Sequence, residues 1–223
     1  MEEVQLKPIA KEKTTQDKVY KQIKKAILFG GITSDEIFTE VQLAETLNTS
    51  RTPVRAAIQD LVKEGLLVAI PRKGMTVKKI TKEEQDEIFL VRSAIEVEAV
   101  KKLIEIITST EQLKSLKIIL KQQEEALEND DAIRFIELDH EFHLSLTKLA
   151  KFTIIEQILT NLHNLTQLIG LRAVRKPGRM RSVLIEHQQI VQAIEEKNPE
   201  LASKMIVNHL ENTKETLVVI DNS

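Results

Sequence analysis

From about residue 82 to the C-terminus the chain carries one kind of pattern, and it is helical. Apolar residues recur at helical spacing through 82–107, 110–129, 131–150, 153–172, 181–197 and 199–219, and no alternating strand pattern competes. The clearest breaks are Asn129-Asp130, Lys176-Pro177-Gly178 and Asn198-Pro199. Aromatic residues make up only 3% of the chain and there is no Trp, so cores must be built from Leu, Ile, Val and Ala, which suits helices packed on helices. This region is expected to form an all-α bundle, large enough to enclose a pocket between its helices.

The first eighty residues read differently. Val19, Ile23, Ala26 and Ile27 mark one helix from Thr15 to Phe29, ended by Gly30-Gly31. Thr39-Glu40-Val41-Gln42 is a capping box, which opens a brief second helix carrying Leu43, Ala44 and Leu47. Asn48 and Thr49 make a turn, Ser50 is placed to cap, and Pro53 sits in the first turn of a third helix from Arg51 to Glu64. On that helix Val54, Ile58, Leu61 and Val62 form the expected buried stripe, while Arg51, Thr52, Arg55 and Gln59 share the opposite surface. Gly65 closes it. Leu67–Ile70 and Met75–Lys79 then read as two strands joined by Pro71-Arg72-Lys73-Gly74, a hairpin with a basic tip. A short helix, a tight turn, a helix with basic N-terminal residues and a β-wing together describe a winged helix-turn-helix, whose second motif helix enters the major groove of DNA. The expected fold is therefore mainly α, with a winged helix-turn-helix domain over 1–80 and a helical domain over 81–223.

Charge agrees with that division. The whole chain carries −2, but residues 1–80 hold 14 Lys+Arg against 10 Asp+Glu, whereas residues 81–223 hold 18 against 24. Binding to phosphates needs local rather than total positive charge. The absence of Cys excludes disulfides and thiolate ligands. Met1 to Lys13 is polar and lacks the apolar stretch of a secretory signal, and no window approaches the roughly 20 apolar residues that span a bilayer. A cytoplasmic protein with no membrane partner is expected.

Leu43-Ala44-Glu45, Ser50-Arg51-Thr52-Pro53-Val54-Arg55, Leu61, Glu64-Gly65-Leu66 and Gly74 together resemble the DNA-binding signature of the GntR family. The resemblance implies an operator-binding regulator in which Arg51 and Arg55 contact bases or phosphates. It implies further that Ser50 and Thr52 support them and that the wing at Gly74 approaches the minor groove. The chain departs from the family's frequent pattern at Ala56, where an acidic residue is common, and at Thr33 to Ile37, where a Pro-Gly turn is usual.

In the helical region Asp139 and His143 lie four residues apart, in a row with Ile136 and Leu146. His187 sits between Leu184 and Val191, and His209 near Ile206 and Leu210. A single histidine on an apolar stripe is more often a hydrogen-bonded core residue than a ligand. Burying four polar groups is unfavourable unless something satisfies them together, and imidazoles with a carboxylate suit a divalent transition metal. His140 and His163 fall away from that inward row. Asp139-x-x-Phe142-His143, Glu186-His187 and His209-Leu210 resemble the metal-binding form of the FadR C-terminal domain, the effector domain of one GntR subfamily. That implies Asp139, His143, His187 and His209 as ligands of Zn²⁺, Ni²⁺ or a similar ion, with open positions for water or effector. The subfamily's frequent Gly-Asn after the metal helix is replaced here by Lys151-Phe152.

Arg92 lies in the first helix of this domain beside Ile88 and Phe89, in a Val-Arg-x-x-x-Glu context completed by Val91 and Glu96. The resemblance implies that such an arginine holds a carboxylate effector; a salt bridge to Glu96 or to a helix C-terminus is the alternative. The combined expectation is a homodimeric regulator whose operator affinity responds to a small organic acid. Two other readings stay open at this stage: a metal-dependent enzyme joined to a DNA-binding head, and a regulator whose metal is only structural.

Overall fold

A computed structural model gives the fold of residues 14–28 and 30–221; the side chains of His163 and residues 218–221 also lie outside the described part. The readings of residues 1–13, of Phe29 and of the His163 side chain therefore concern residues that are not described. The chain forms two compact units, one ending at Lys78 and the other starting at Lys79.

The N-terminal unit holds α1 (Thr15–Leu28), α2 (Glu40–Thr46), α3 (Arg51–Lys63), β1 (Leu67–Ile70) and β2 (Gly74–Val77). Thr39 and Gln42 form the expected capping box on α2. Asn48 takes a left-handed conformation, φ 46°, which Asn tolerates better than most residues, and this turns the chain into α3. Val19, Ile23 and Ile27 of α1 pack with Val54, Ala57, Ile58 and Leu61 of α3 around one small core. Val62, expected in that stripe, is instead 39% exposed. Ala57 takes the inward place, because the apolar row of α3 runs 54-57-58-61 and position 62 falls past its edge. Ser50 stands at the N-cap of α3 but makes no side-chain capping bond. Pro53, the third residue of the helix, has no N–H, which removes one of the two amides that such a cap takes and leaves only that of Thr52.

The wing is a two-stranded antiparallel hairpin with Leu67 opposite Val77 and Ile70 opposite Gly74. β2 begins at Gly74 and ends at Val77, earlier at both ends than the sequence suggested. Phe38 adds a third rung: its N–H donates to the Met75 carbonyl and the Met75 N–H donates back, each at 2.9 Å. Gly74 has φ 138°, and a Cβ there would stand 2.3 Å from the Phe38 carbonyl oxygen. Only glycine fits this close approach.

The C-terminal unit holds α4 (Lys82–Ile106), α5 (Lys114–Glu128), α6 (Ala132–Leu149), α7 (Thr153–Val174), α8 (Arg179–Glu195) and α9 (Pro199–Asp221). A 3-10 turn, Thr110–Leu113, replaces the first turn of the helix expected over 110–129. α8 starts two residues before its expected position, directly after Gly178, whose φ of 80° reverses the chain. α4 packs against α6 and α9, α5 against α6 and α8, and α7 against α6 and α9. Phe135, Phe142, Leu138, Leu146, Ile190, Ile194 and Ile206 fill the interior. α4 departs from a simple amphipathic helix, because Gln85, Arg92 and Glu96 are buried along with its apolar residues. A helix carries charges inward only where other charges receive them.

Candidate metal centre and DNA-reading surface

Asp139 and His143 come from α6, His187 from α8 and His209 from α9; all four are buried, and one ligand atom from each lies within 4.8 Å of the others. Asp139 Oδ1 is 3.5 Å from His187 Nε2 and 3.9 Å from His143 Nε2, while the Nε2 atoms of His143 and His209 are 3.2 Å apart. His140, which sequence spacing set aside, is half-buried and outside this group.

The other face of each ring explains why Nε2 points inward. His143 Nδ1 meets Glu96 Oε2 at 2.6 Å, His209 Nδ1 meets Glu186 Oε2 at 2.7 Å, and His187 Nδ1 meets Gln123 Oε1 at 2.9 Å. Nδ1 of His187 and of His209 faces an acceptor at hydrogen-bond distance, and Nδ1 of His143 lies against the Glu96 carboxylate; with the proton on Nδ1, each Nε2 lone pair faces the common centre. Phe142 stacks on the His187 ring at 4.0 Å between centroids and fixes its plane. Burial drives His187 well below the usual imidazole range, and the charges around it act in the same direction. Burial also lowers His209, against the opposing pull of Glu186. Both rings are thus held neutral, the form that ligates.

The two glutamates are anchored in parallel fashion. Arg92 Nε donates to Glu96 Oε1 at 2.7 Å, so the salt bridge expected as one alternative for Arg92 is present. Arg179 grips Glu186 with two bonds, 2.7 and 3.0 Å, and donates to Thr213 Oγ1 at 2.8 Å; Asn212 adds a further bond to Glu186. Burial alone would raise both carboxyls, but Arg92 with His143, and His209 with Arg179, outweigh it and hold each at about 2. Two Arg–Glu–His chains therefore converge on the centre.

The chemistry fits a metal ion. His187 Nε2 is buried without a hydrogen-bond partner among the described residues. With their Nδ1 protons directed outward, His143 and His209 bring two lone pairs to 3.2 Å, a repulsive contact that a cation relieves. Three neutral imidazoles and one carboxylate form a borderline donor set suited to a divalent transition ion. A narrow cleft with about 20 Å³ of free space adjoins the centre. Its polar lining includes Arg92, Asp139, Thr166, Arg179, His209 and Thr213, with apolar walls from Phe89, Ile136 and Ile169 among others.

Sequence reading missed Arg179 and Gln123 and gave Glu186 no role beyond its place beside His187. Gln123 had a signal, since it occupies the buried row between Ile119 and Ala126 on α5.

On the N-terminal unit Arg51, Thr52, Arg55 and Gln59 are exposed on α3, as expected. Glu40 at the start of α2 reaches both arginines, at 3.6 Å from Arg51 and 3.2 Å from Arg55, while the arginine side chains remain 63% and 61% exposed. The Ser50 hydroxyl, without a cap to make, lies at the same helix end. Gly74 is accounted for by its approach to Phe38.

A winged helix-turn-helix followed by a helical domain with a buried His/Asp centre defines a class of two-domain DNA-binding regulators. The chain belongs to the GntR family of bacterial regulatory proteins: that family's model matches residues 15–77, and the FCD domain model matches residues 87–212. It is 30% identical over 199 residues to the uncharacterized HTH-type transcriptional regulator YdhC of Bacillus subtilis, covering 89% of this chain and 88% of that protein. It is 25% identical over 215 residues to the HTH-type transcriptional repressor RspR of Escherichia coli, covering 96% and 92%. Among solved structures, E. coli McbR/YncC superposes with a TM-score of 0.73 at 21% identity, covering 94% of this chain and 98% of that one. A putative GntR regulator from Rhodococcus sp. RHA1 gives 0.76 at 21% identity, covering 91% and 97%. The protein is a transcriptional regulator, not an enzyme. Among the described residues no helix is long and apolar enough to cross a membrane.

Proposed function

We propose that this regulator acts in the cytoplasm as a homodimer whose affinity for an operator is set by a small organic acid. The N-terminal unit reads DNA and the C-terminal unit receives the acid at a metal centre. Asp139, His143, His187 and His209 would hold the ion, zinc or nickel by donor type, and the ion would supply a Lewis-acidic point for an oxygen ligand. The observation that carries this reading is the orientation of the three rings: every Nδ1 faces an outward acceptor and every Nε2 faces the centre. Arg92, in the same cleft and bonded to Glu96 through Nε, is the cation for the acid's carboxylate. On the DNA side Arg51 and Arg55 make the principal contacts, with Ser50 and Thr52 beside them and the wing turn at Gly74 against the duplex.

The test is elemental analysis of the purified chain beside a variant with His187→Ala and His209→Ala. About one equivalent of divalent metal per chain, lost in the variant, is the expected result. No metal in either sample would reduce the histidines to core residues and remove the metal reading. Control by the acid is tested separately, by operator titration with and without candidate acids. An acid that binds without changing operator affinity would remove the coupling and leave DNA binding intact.

The burial of the centre between α6, α8 and α9 favours a second reading, in which the metal is a structural staple. Metal removal that melts the C-terminal unit would support the staple. Retained helix with lost acid binding would support the sensor.

A further inference from the structure

Three side chains stand behind the three candidate histidine ligands, and one of them differs in kind. His143 Nδ1 and His209 Nδ1 meet carboxylates, Glu96 and Glu186, each fixed by a buried arginine. A carboxylate can only accept, so it holds its ring with the proton on Nδ1. His187 Nδ1 meets an amide instead, Gln123 Oε1 of α5, at 2.9 Å. Gln123 is fully buried, and its Nε2 has no hydrogen-bond partner among the described residues. A buried donor left dry is costly. The oxygen and nitrogen of an amide have nearly the same shape, so a half-turn of the amide exchanges them. Because Nε2 holds no bond that the half-turn would break, only the contact with His187 changes: Nε2–H of Gln123 now donates to a bare Nδ1. The ring then carries its proton on Nε2, where Asp139 Oδ1 stands 3.5 Å away, a long hydrogen bond. Phe142, stacked on the imidazole at 4.0 Å and 10° from parallel, keeps the ring itself from turning, so the proton alone changes place.

We propose that Gln123 is a positioning residue that makes His187 a convertible ligand. With Gln123 accepting, His187 presents its Nε2 lone pair to the centre; with Gln123 donating, His187 directs Nε2–H at Asp139 and closes the centre with a hydrogen bond. The proton passes from one ring nitrogen to the other, so the charge of the ring is the same in both forms. This rests on reading Asp139, His143, His187 and His209 as a metal centre. It adds that the two rings backed by carboxylates are committed to ligation and the third is not. Affinity is thereby given up for reversibility, and a glutamate at position 123 would commit all three rings.

The experiment is nitrogen NMR of the full-length chain with isotope-labelled histidine rings, metal-free and loaded with zinc, the His187 signals being assigned by their absence in His187→Asn. In the metal-free chain His187 is expected to carry its proton on Nε2, in whole or in part, and in the zinc-loaded chain on Nδ1 alone. His143 and His209 are expected to keep Nδ1 protonated in both. Gln123→Glu should remove the Nε2–H form of His187 and, in competition with a chelator, bind zinc about tenfold more tightly, the scale on which a partner behind a ligating histidine acts. A metal-free His187 protonated only on Nδ1, or on both nitrogens, overturns the proposal. So does the same exchange at His143 or His209, or a folded Gln123→Glu that keeps the Nε2–H form or gains no affinity. The wild-type spectra decide the matter even where that variant fails to fold. Zinc binding with Nδ1 of His187 protonated throughout sinks this inference alone; no zinc binding by the wild-type chain sinks the metal reading with it.

Discussion

Both units of this protein use arginine–glutamate pairs, and they use them in opposite ways. On the N-terminal unit Glu40 reaches Arg51 and Arg55 at 3.6 and 3.2 Å, with both arginines more than half exposed. In the C-terminal unit Arg92 with Glu96, and Arg179 with Glu186, are bonded at 2.7 Å, three of the four buried and Glu186 half-buried. Exposed pairs are screened by water and salt, so their arginines can leave for a phosphate or a base at little cost. Buried pairs have no such freedom. Their carboxylates are held charged by the arginines and each also meets a histidine Nδ1, Glu96 through the oxygen that Arg92 leaves and Glu186 through one it shares with Arg179, so they fix ring orientation. The same two side chains thus form loose surface pairs in one unit and fixed pairs around the candidate metal centre in the other.

The largest expected effect falls on the rigid side. Glu96 is fully buried and partners both Arg92 and His143. Glu96→Ala would leave a buried guanidinium uncompensated, and breaking such a pair costs about 3–5 kcal/mol. Denaturant unfolding of the metal-free chain should show a loss of that order in the transition of the C-terminal unit. A loss under about 1 kcal/mol would mean that the buried pair is not the rigid element the comparison makes it.

Much of this contrast was legible in the sequence, for local reasons. The capping box Thr39-x-x-Gln42, the turn at Asn48 and the row of exposed residues on α3 depend on neighbours a few positions apart. The four candidate ligands were legible because each interrupts an apolar stripe, and a polar residue on a buried face stands out. What escaped depends on tertiary approach. Arg179 follows Lys176-Pro177-Gly178 and reads as loop, since nothing local reports that Glu186 and Thr213 will meet it. Glu40 looks like an ordinary first-turn acid until α3 is laid against α2. The missing cap at Ser50 had a partial signal, because Pro53 removes one of the two amides that the hydroxyl could take.

The next effect belongs to the exposed side and is read on DNA. Arg55→Ala should leave the unfolding of the N-terminal unit nearly unchanged, since its side chain is 61% exposed and its pair is a surface pair. If Arg55 reads a base, the variant should lose about 1–3 kcal/mol of specific affinity and relax selectivity at one operator position. If it contacts only phosphate, affinity should fall evenly across sequences and the salt slope should drop by about one. Selection from random-sequence DNA, followed by titration at several salt concentrations, separates the two. No change in affinity or slope would remove Arg55 from the interface.

The smallest expected effect tests the comparison itself. Glu40→Ala removes the acceptor shared by Arg51 and Arg55, as Glu96→Ala removes the one shared by Arg92 and His143. Here the freed arginines remain solvated, so the stability change should stay within about 1 kcal/mol, several-fold less than for the buried carboxylate. The capping box on α2 uses Thr39 and Gln42 and is untouched by the substitution. Parallel unfolding of the two variants is therefore a direct reading of what burial adds to one chemical pair. Equal losses in both would mean that Glu40 is as structural as Glu96, and that the two arginines of α3 are held by the fold rather than free to meet DNA.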